Sequence, residues 1–443
     1  MKNEILEGPL LRRIILFAIP LAASSTLQQL FNAADTAVVG HFAGKEAMAA
    51  VGSNSPLINL LLAVFIGLSI GANVVISRFI GLQEEDRISE AVHTSITLAL
   101  LSGIFLLGAG QLIARRALQI MGSPEDVIGL ATVYLRIYFL GAPAIMLYNF
   151  LSAILRSTGD SKRPMLAVTF AGIVNVCLNL LFVIVFHLSV VGVASATVIA
   201  NYLGVCYLLQ VLRHEKKPIR FYPDRLKIHA VHLAAILRIG VPAGIQGMIF
   251  SLANTVIQSS VNSFGSAAVA GSAAAFNLEI IGYYTVNAFD QAAVTFTSQN
   301  YAARKLDRCR QIYRYSMISA FLATFIFDMI VVLFRGQFIR IFTSDPSVIF
   351  YANQRILCVA MFHWMITSYE IAASCLRGMN YSLLPTILMV AGTCVFRIMW
   401  VMFFLPLHRS FSTLLYVYPA SWVITGTLVL SAYFIVRKRA LAE

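Results

Sequence analysis

Ser24, Gln28, Asn32 and Asp35 follow one another at intervals of four, four and three residues within an otherwise apolar run near 14–40. That spacing puts them on one face of a helix. A carboxyl group on such a stripe, flanked by amides and partly removed from water, can alternate between a proton and a hard cation such as sodium. Asn175 and Asn179 lie four apart on one face of a later apolar run, and Thr197 lies on the next. Carboxylate, amide and hydroxyl oxygens are the ligands that sodium accepts, so Asp35, Asn175, Asn179 and Thr197 are the expected cation-binding set, with sodium as the candidate metal. Gln28, Phe31 and Asn32 continue the same helix face and are expected to line a substrate cavity.

Further candidates stand in the second half of the chain. Glu279 and Glu370 are acids inside apolar runs, where an ionisable side chain is costly and therefore informative. Gln246 and Asn254 occupy the face that corresponds to the Asp35 stripe, and the dipeptides Tyr148-Asn149 and Tyr369-Glu370 match one another. With Tyr283, these residues are assigned to the cavity. Aromatic faces beside carboxylates suit flat lipophilic cations through cation–π attraction. Asp328 stands on a span with no other polar partner nearby and is assigned to a helix pair rather than to the cavity, and His187, His363 and His408 are isolated and read as core or interface residues. The six cysteines are scattered and show neither a disulfide frame nor a metal spacing. No phosphate-binding loop, dinucleotide fingerprint or nucleophile elbow is present, so neither an enzymatic activity nor a cofactor is expected.

The elements that must position these residues follow from composition. Of 443 residues, 59% are hydrophobic and 12% charged. That is about half the charge that a soluble surface carries. Twelve apolar runs of helix-spanning length can be traced, and continuous runs such as 178–186 exclude the alternating strands of a membrane barrel. The fold class is therefore all-α, polytopic and twelve-helical. The net charge of +13 would suggest nucleic acid in a soluble protein. With the N-terminus inside, however, 24 of the 33 Lys and Arg fall in inner loops and tails, six in outer loops and three within spans. That bias marks topology in a plasma membrane with both termini cytoplasmic, not a nucleic-acid partner. Membrane lipids and a small-molecule substrate are the expected partners, and no oligomer is required. The start, with Arg12, Arg13 and a following apolar stretch, reads as a retained first helix.

The chain repeats itself. The offset that carries Pro20 onto Pro242 also lays Ile19 on Val241, Asn32 on Asn254 and Phe42 on Phe264. An offset shorter by one lays Tyr148 on Tyr369 and "LRSTGDSKRP" on "LRGMNYSLLP". Each half holds six spans, an even number, so both enter the membrane in the same sense, as in parallel-repeat transporters with a site between repeats near the midplane. The expected division is an N-terminal lobe at 1–212, a basic cytoplasmic linker at 213–232 and a C-terminal lobe at 233–443. The linker's basic residues are expected to face lipid headgroups.

The segments "QQLFNAADTAVVG", "LRSTGDSKRP", "NVCLN", "VGVASATVIAN", "FTSQNYAARK" and "LRGMNYSLLP" together resemble the multidrug and toxic compound extrusion (MATE) family over essentially the whole chain. The resemblance implies a V-shaped pair of six-helix lobes and efflux of organic cations against proton or sodium entry. By position, Asp35 matches the acid of that family's N-lobe cation site, Asn175 its amide and Thr197 its hydroxyl. Asn179 falls where many members carry Asp, which implies weaker sodium binding and leans toward protons. Glu279 and Glu370 fall where relatives often carry acids in the C-lobe. The rival reading is a lipid-linked oligosaccharide flippase of the same superfamily. It would need several cationic side chains for a diphosphate, and only Arg136, Arg355 and Arg397 lie within spans.

Overall fold

The computed structural model describes residues 4–120 and 125–440. Its helices follow from the solvent that the composition implies. Hydrocarbon offers no water to an unpaired N–H or C=O, so each segment must close its backbone bonds internally. Among the described residues, ten helices are long and apolar enough to cross a membrane, and Val127–Leu140 with Ala142–Ser157, bent by 46°, forms an eleventh span. Helix Ser266–Ala302 supplies the twelfth; its 37 residues suffice in length, but buried Glu279, Asp290 and residues 297–300 interrupt its apolar character.

The chain packs as two compact units, Ala23–Gly244 and a second that joins the segment up to Ala22 with the chain from Ile245 onward. The first unit takes the later part of α1 (Leu10–Phe42), then α2 (Lys45–Leu82), α3 (Glu85–Ile120), the bent pair α4 (Glu125–Leu140) and α5 (Ala142–Ser157), α6 (Lys162–Leu180), α7 (Ser189–Arg213) and the opening part of α8 (Ala230–Asn262). The second unit takes the remainder of α8, then α9 (Ser266–Ala302), α10 (Leu306–Leu333), α11 (Pro346–Cys358), a 3-10 turn at Ala360–Met365, α12 (Ile366–Gly378), α13 (Leu383–Met389) and α14 (Val417–Ala440).

These boundaries differ from the expected 1–212, 213–232 and 233–443. The reason lies in α1 and α8, each of which changes unit just past an internal proline, Pro20 or Pro242. Proline supplies no N–H to the ladder and its ring opposes the preceding turn, so the helix is locally weakest there. The expected linker also belongs to the first unit. The Tyr222 amide donates to His93 Nε2 at 3.0 Å, the His229 amide donates to Thr94 Oγ1 at 3.2 Å, and His232 Nε2 lies 2.8 Å from Glu90.

What holds α8 to the first unit is a pair of glycine motifs. Gly67 and Gly71 on α2 meet Gly240 and Gly244 on α8. A Cβ on Gly67 would stand 2.3 Å from the Gly244 nitrogen, and one on Gly71 2.4 Å from the Ile236 carbonyl. Small residues four apart let backbones touch, which is how helices associate where lipid removes the hydrophobic drive. At the offset that relates Pro20 to Pro242, Ala18 and Ala293 stand in place of Gly240 and Gly71, and both are buried in the core of the second unit.

The start of the chain is fastened to that second unit by polar bonds. Arg308 donates to the carbonyls of Ile5 at 2.9 Å and Gly8 at 3.0 Å, and Lys305 Nζ donates to that of Leu6 at 3.1 Å. Ile5, Leu10, Ile14 and Phe17 then enter the core that contains Ala293 and Phe296.

Candidate functional site

The Asp35 cluster assembles within the first unit. On α1, Asp35 follows Phe31 by one turn, and Gly172 on α6 is what allows α1 to come close. A Cβ at position 172 would stand 1.8 Å from the Phe31 ring. Asn175 and Asn179 follow Gly172 at the next two turns of α6, so the register that seats Phe31 also brings both amides to Asp35. Asn179 Nδ2 donates to Asp35 Oδ1. With its nitrogen toward the carboxyl group, Asn175 donates to the same oxygen at 2.7 Å, and its own oxygen faces the Thr197 N–H at 3.3 Å and hydroxyl at 3.1 Å. The opposite orientation would set oxygen against oxygen. Thr197, on α7, is thus joined to Asp35 through Asn175.

Asn175 and Asn179 are 6% and 1% exposed, and Asn179 Oδ1 is buried with no hydrogen-bond partner. An orphaned carbonyl oxygen beside a carboxyl group calls for a proton donor or a cation. Sequence reasoning missed Tyr134, a buried residue of α4 within electrostatic range of Asp35, its ring stacked on Tyr138 at 6.1 Å. The spacing of four between these tyrosines was the available signal.

The assigned cavity residues have several settings. Gln28 and Asn32 are both exposed on α1. On α5, Tyr148 Oη donates to the Pro164 carbonyl at 3.3 Å, and Asn149 donates to the Ile145 carbonyl of its own helix at 2.8 Å. In the second unit Gln246 accepts from Arg377 at 2.9 Å and Thr386 at 3.3 Å, while Asn254 accepts from Arg397 at 3.3 Å. Tyr369 is buried, Tyr283 is 37% exposed, and Glu370 lies within electrostatic range of Asp290 and Arg377.

Glu279 is not a free acid. Both its oxygens accept from Arg355, at 3.0 and 2.8 Å, and the same guanidinium donates to Ser272 at 2.7 Å. Asp290 accepts from Ser374, which also accepts from Arg377. Asp328, expected to belong to a helix pair, sits on α10 with His363 Nδ1 3.5 Å away. The partner comes from the 3-10 turn, with all of α11 lying between them in the chain, and no local pattern announces it. The second unit therefore carries a file of buried charges, most of them closed by internal partners.

The MatE family model matches this chain twice, at 20–181 and again at 242–402. The chain belongs to the MatE family. The two matches begin and end at the same offsets that relate the two halves of the sequence, so the MatE unit is the element that was duplicated. Among curated relatives, "Probable multidrug resistance protein YoeA" of Bacillus subtilis (strain 168) is 27% identical over 97% of this chain and 94% of its own. The "FAD transporter" of Shewanella oneidensis is 24% identical over 79% of this chain and 78% of its own. A solved structure described as the outward-facing conformation of a multidrug resistance MATE family transporter superposes with a TM-score of 0.92 at 21% identity, covering 100% of this chain and 99% of that one. The MatE fold is thus shared across the full length, and the chain is an integral membrane protein.

Proposed function

We propose that this MatE chain is a cation-coupled antiporter that exports amphipathic small molecules, organic cations among them, from the cytoplasm. The observation that carries the reading is Asp35, a carboxyl group set among apolar helices and met by Asn179 and Asn175, with Thr197 behind them. Asn179 carries no charge, so Asp35 is the sole acid among the four residues, which favours a proton over sodium as the coupling ion. Uptake of the ion would change how α1 packs on α6 and α7, and a carrier whose two states differ in that packing exchanges ion for cargo. The names of the relatives agree with export of varied small molecules, and the relative named for FAD widens the range of cargo to be tried. The charge bias of the loops supports a plasma-membrane location with both ends of the chain in the cytoplasm.

The flippase reading has no observation in its favour. Of its three candidate phosphate-binding arginines, Arg355 is engaged by Glu279, and Arg397 by Ser421 and Asn254. The test is ethidium efflux from proteoliposomes under separately imposed pH and sodium gradients. Wild type is expected to respond to at least one gradient, and Asp35→Asn to neither. Gradient-driven efflux retained by Asp35→Asn removes Asp35 from the mechanism.

A further inference from the structure

We propose that Asp328 and His363 form a second proton-binding site, holding a single exchangeable proton inside the second unit. Asp328 Oδ1 and His363 Nδ1 are 3.5 Å apart, longer than a well-formed hydrogen bond. Asp328 Oδ2 and His363 Nδ1 are both buried with no hydrogen-bond partner. The residues are 1% and 5% exposed. A buried imidazole beside a buried carboxyl group, each with an unfilled atom, is a place where a proton can sit on either side.

The surroundings determine how many protons it holds. Asp328 is acted on by His363, by Glu279 of α9 and by the Trp364 backbone amide. Glu279 is bound on both oxygens by Arg355 of α11, which also faces the Tyr418 ring at 5.5 Å. The His363 ring meets Trp422 of α14 edge-on at 5.7 Å. The charged groups of α12 lie elsewhere, Arg377 and Glu370 acting on Asp290. The local set is therefore two acids, Asp328 and Glu279, and two bases, Arg355 and His363. Arg355 and Glu279 form a bidentate pair of opposite charges that cancel one another. The set is neutral when the Asp328–His363 pair carries a single proton, whichever residue holds it. Without that proton it carries a net negative charge in a low-dielectric interior, which is strongly disfavoured unless a cation takes its place.

Gly282, one turn beyond Glu279, gives the pair its room. A Cβ there would stand 2.9 Å from Asp328 Oδ1 and 3.1 Å from His363 Nδ1. Loss of the proton and arrival of a cation are thus linked at this place. The use of that link in transport rests on the antiport reading; the existence of the site does not.

The test uses the full chain in lipid nanodiscs, followed by pH-dependent infrared difference spectra and 15N-histidine NMR. Wild type is expected to show a titrating carboxyl or imidazole signal that is lost in Asp328→Asn and displaced to another pH in His363→Gln, where the carboxyl group alone holds the proton. Both variants can keep the set neutral and are expected to fold, and Asp328→Glu should restore the signal. Absence of the signal from wild type, or its survival at an unchanged pH in either variant, overturns the proposal. A parallel measurement of ethidium-triggered proton release is expected to fall in Asp328→Asn while Asp35 is intact. Coupled efflux together with no titrating pair defeats this site and leaves the antiport reading standing; a titrating pair with efflux indifferent to every gradient does the reverse.

Discussion

At the scale of single residues, the chain separates an acid held by amides from acids held by arginine. Asn179→Asp would place a second carboxyl group beside Asp35 and supply the charge that a sodium site uses. The expected outcome is a fall of roughly tenfold or more in the sodium concentration needed for half-maximal efflux, equivalent to about 1.4 kcal/mol. Dye efflux against sodium concentration measures it. Arg355→Ala should behave differently, because it strands Glu279 without its partner. Breaking a buried pair from one side costs about 3–5 kcal/mol, so a lower melting temperature and poor expression are expected before any change in substrate preference. The Asp35 stripe was legible in the sequence because an acid in an apolar run is rare and its helical spacing to Asn32 and Gln28 is local information. The same holds for Asn175 and Asn179. The pairs Glu279–Arg355 and Asp328–His363 were not legible, since each joins residues far apart in the chain whose meeting depends on packing. Glu279 was assigned to a cavity on its chemistry alone, and the structure gives it a partner on both oxygens.

At the scale of helices, two close approaches carry the arrangement, and each makes a prediction. Gly172→Ala sets a methyl group where the Phe31 ring lies and must push α1 off α6. Since Asp35 is one turn along, coupled efflux should fall sharply in a protein that still inserts in the membrane, which flux together with surface labelling would show. Gly67→Ala or Gly240→Ala forces a methyl group against backbone, 2.3 Å or 2.6 Å away. Overpacking of this kind costs about 1–3 kcal/mol, and a lower melting temperature in detergent is the expected readout. The helices themselves were readable from hydropathy because spanning length is a property of a continuous segment. Which bundle a helix joins is not, and for that reason the boundaries at 212 and 233 miss the packed ones at Ala22 and Gly244.

At the scale of the whole molecule, the duplication seen in the sequence reappears as two MatE matches, yet the packed units are not the two sequence halves. Each borrows the opening part of a helix from the other half. Co-expressed pieces 1–222 and 223–443 are expected to assemble in the membrane, whereas 1–222 alone should be degraded, because α2 would expose Gly67 and Gly71 with nothing to cover them. Pulse-chase of each piece, alone and paired, measures this.

The shared helices also impose a timetable on biosynthesis. When the ribosome has delivered six spans, the bundle they form is still missing its closing piece, and residues 230–244 must be threaded into the bilayer before it can finish. The segment up to Ala22 faces the opposite delay, for it is made before α9 and α10 exist to receive it. That segment therefore lacks the partners it has in the folded protein until α9 and α10 have been made, and any factor that shields young membrane segments would act on it in that interval.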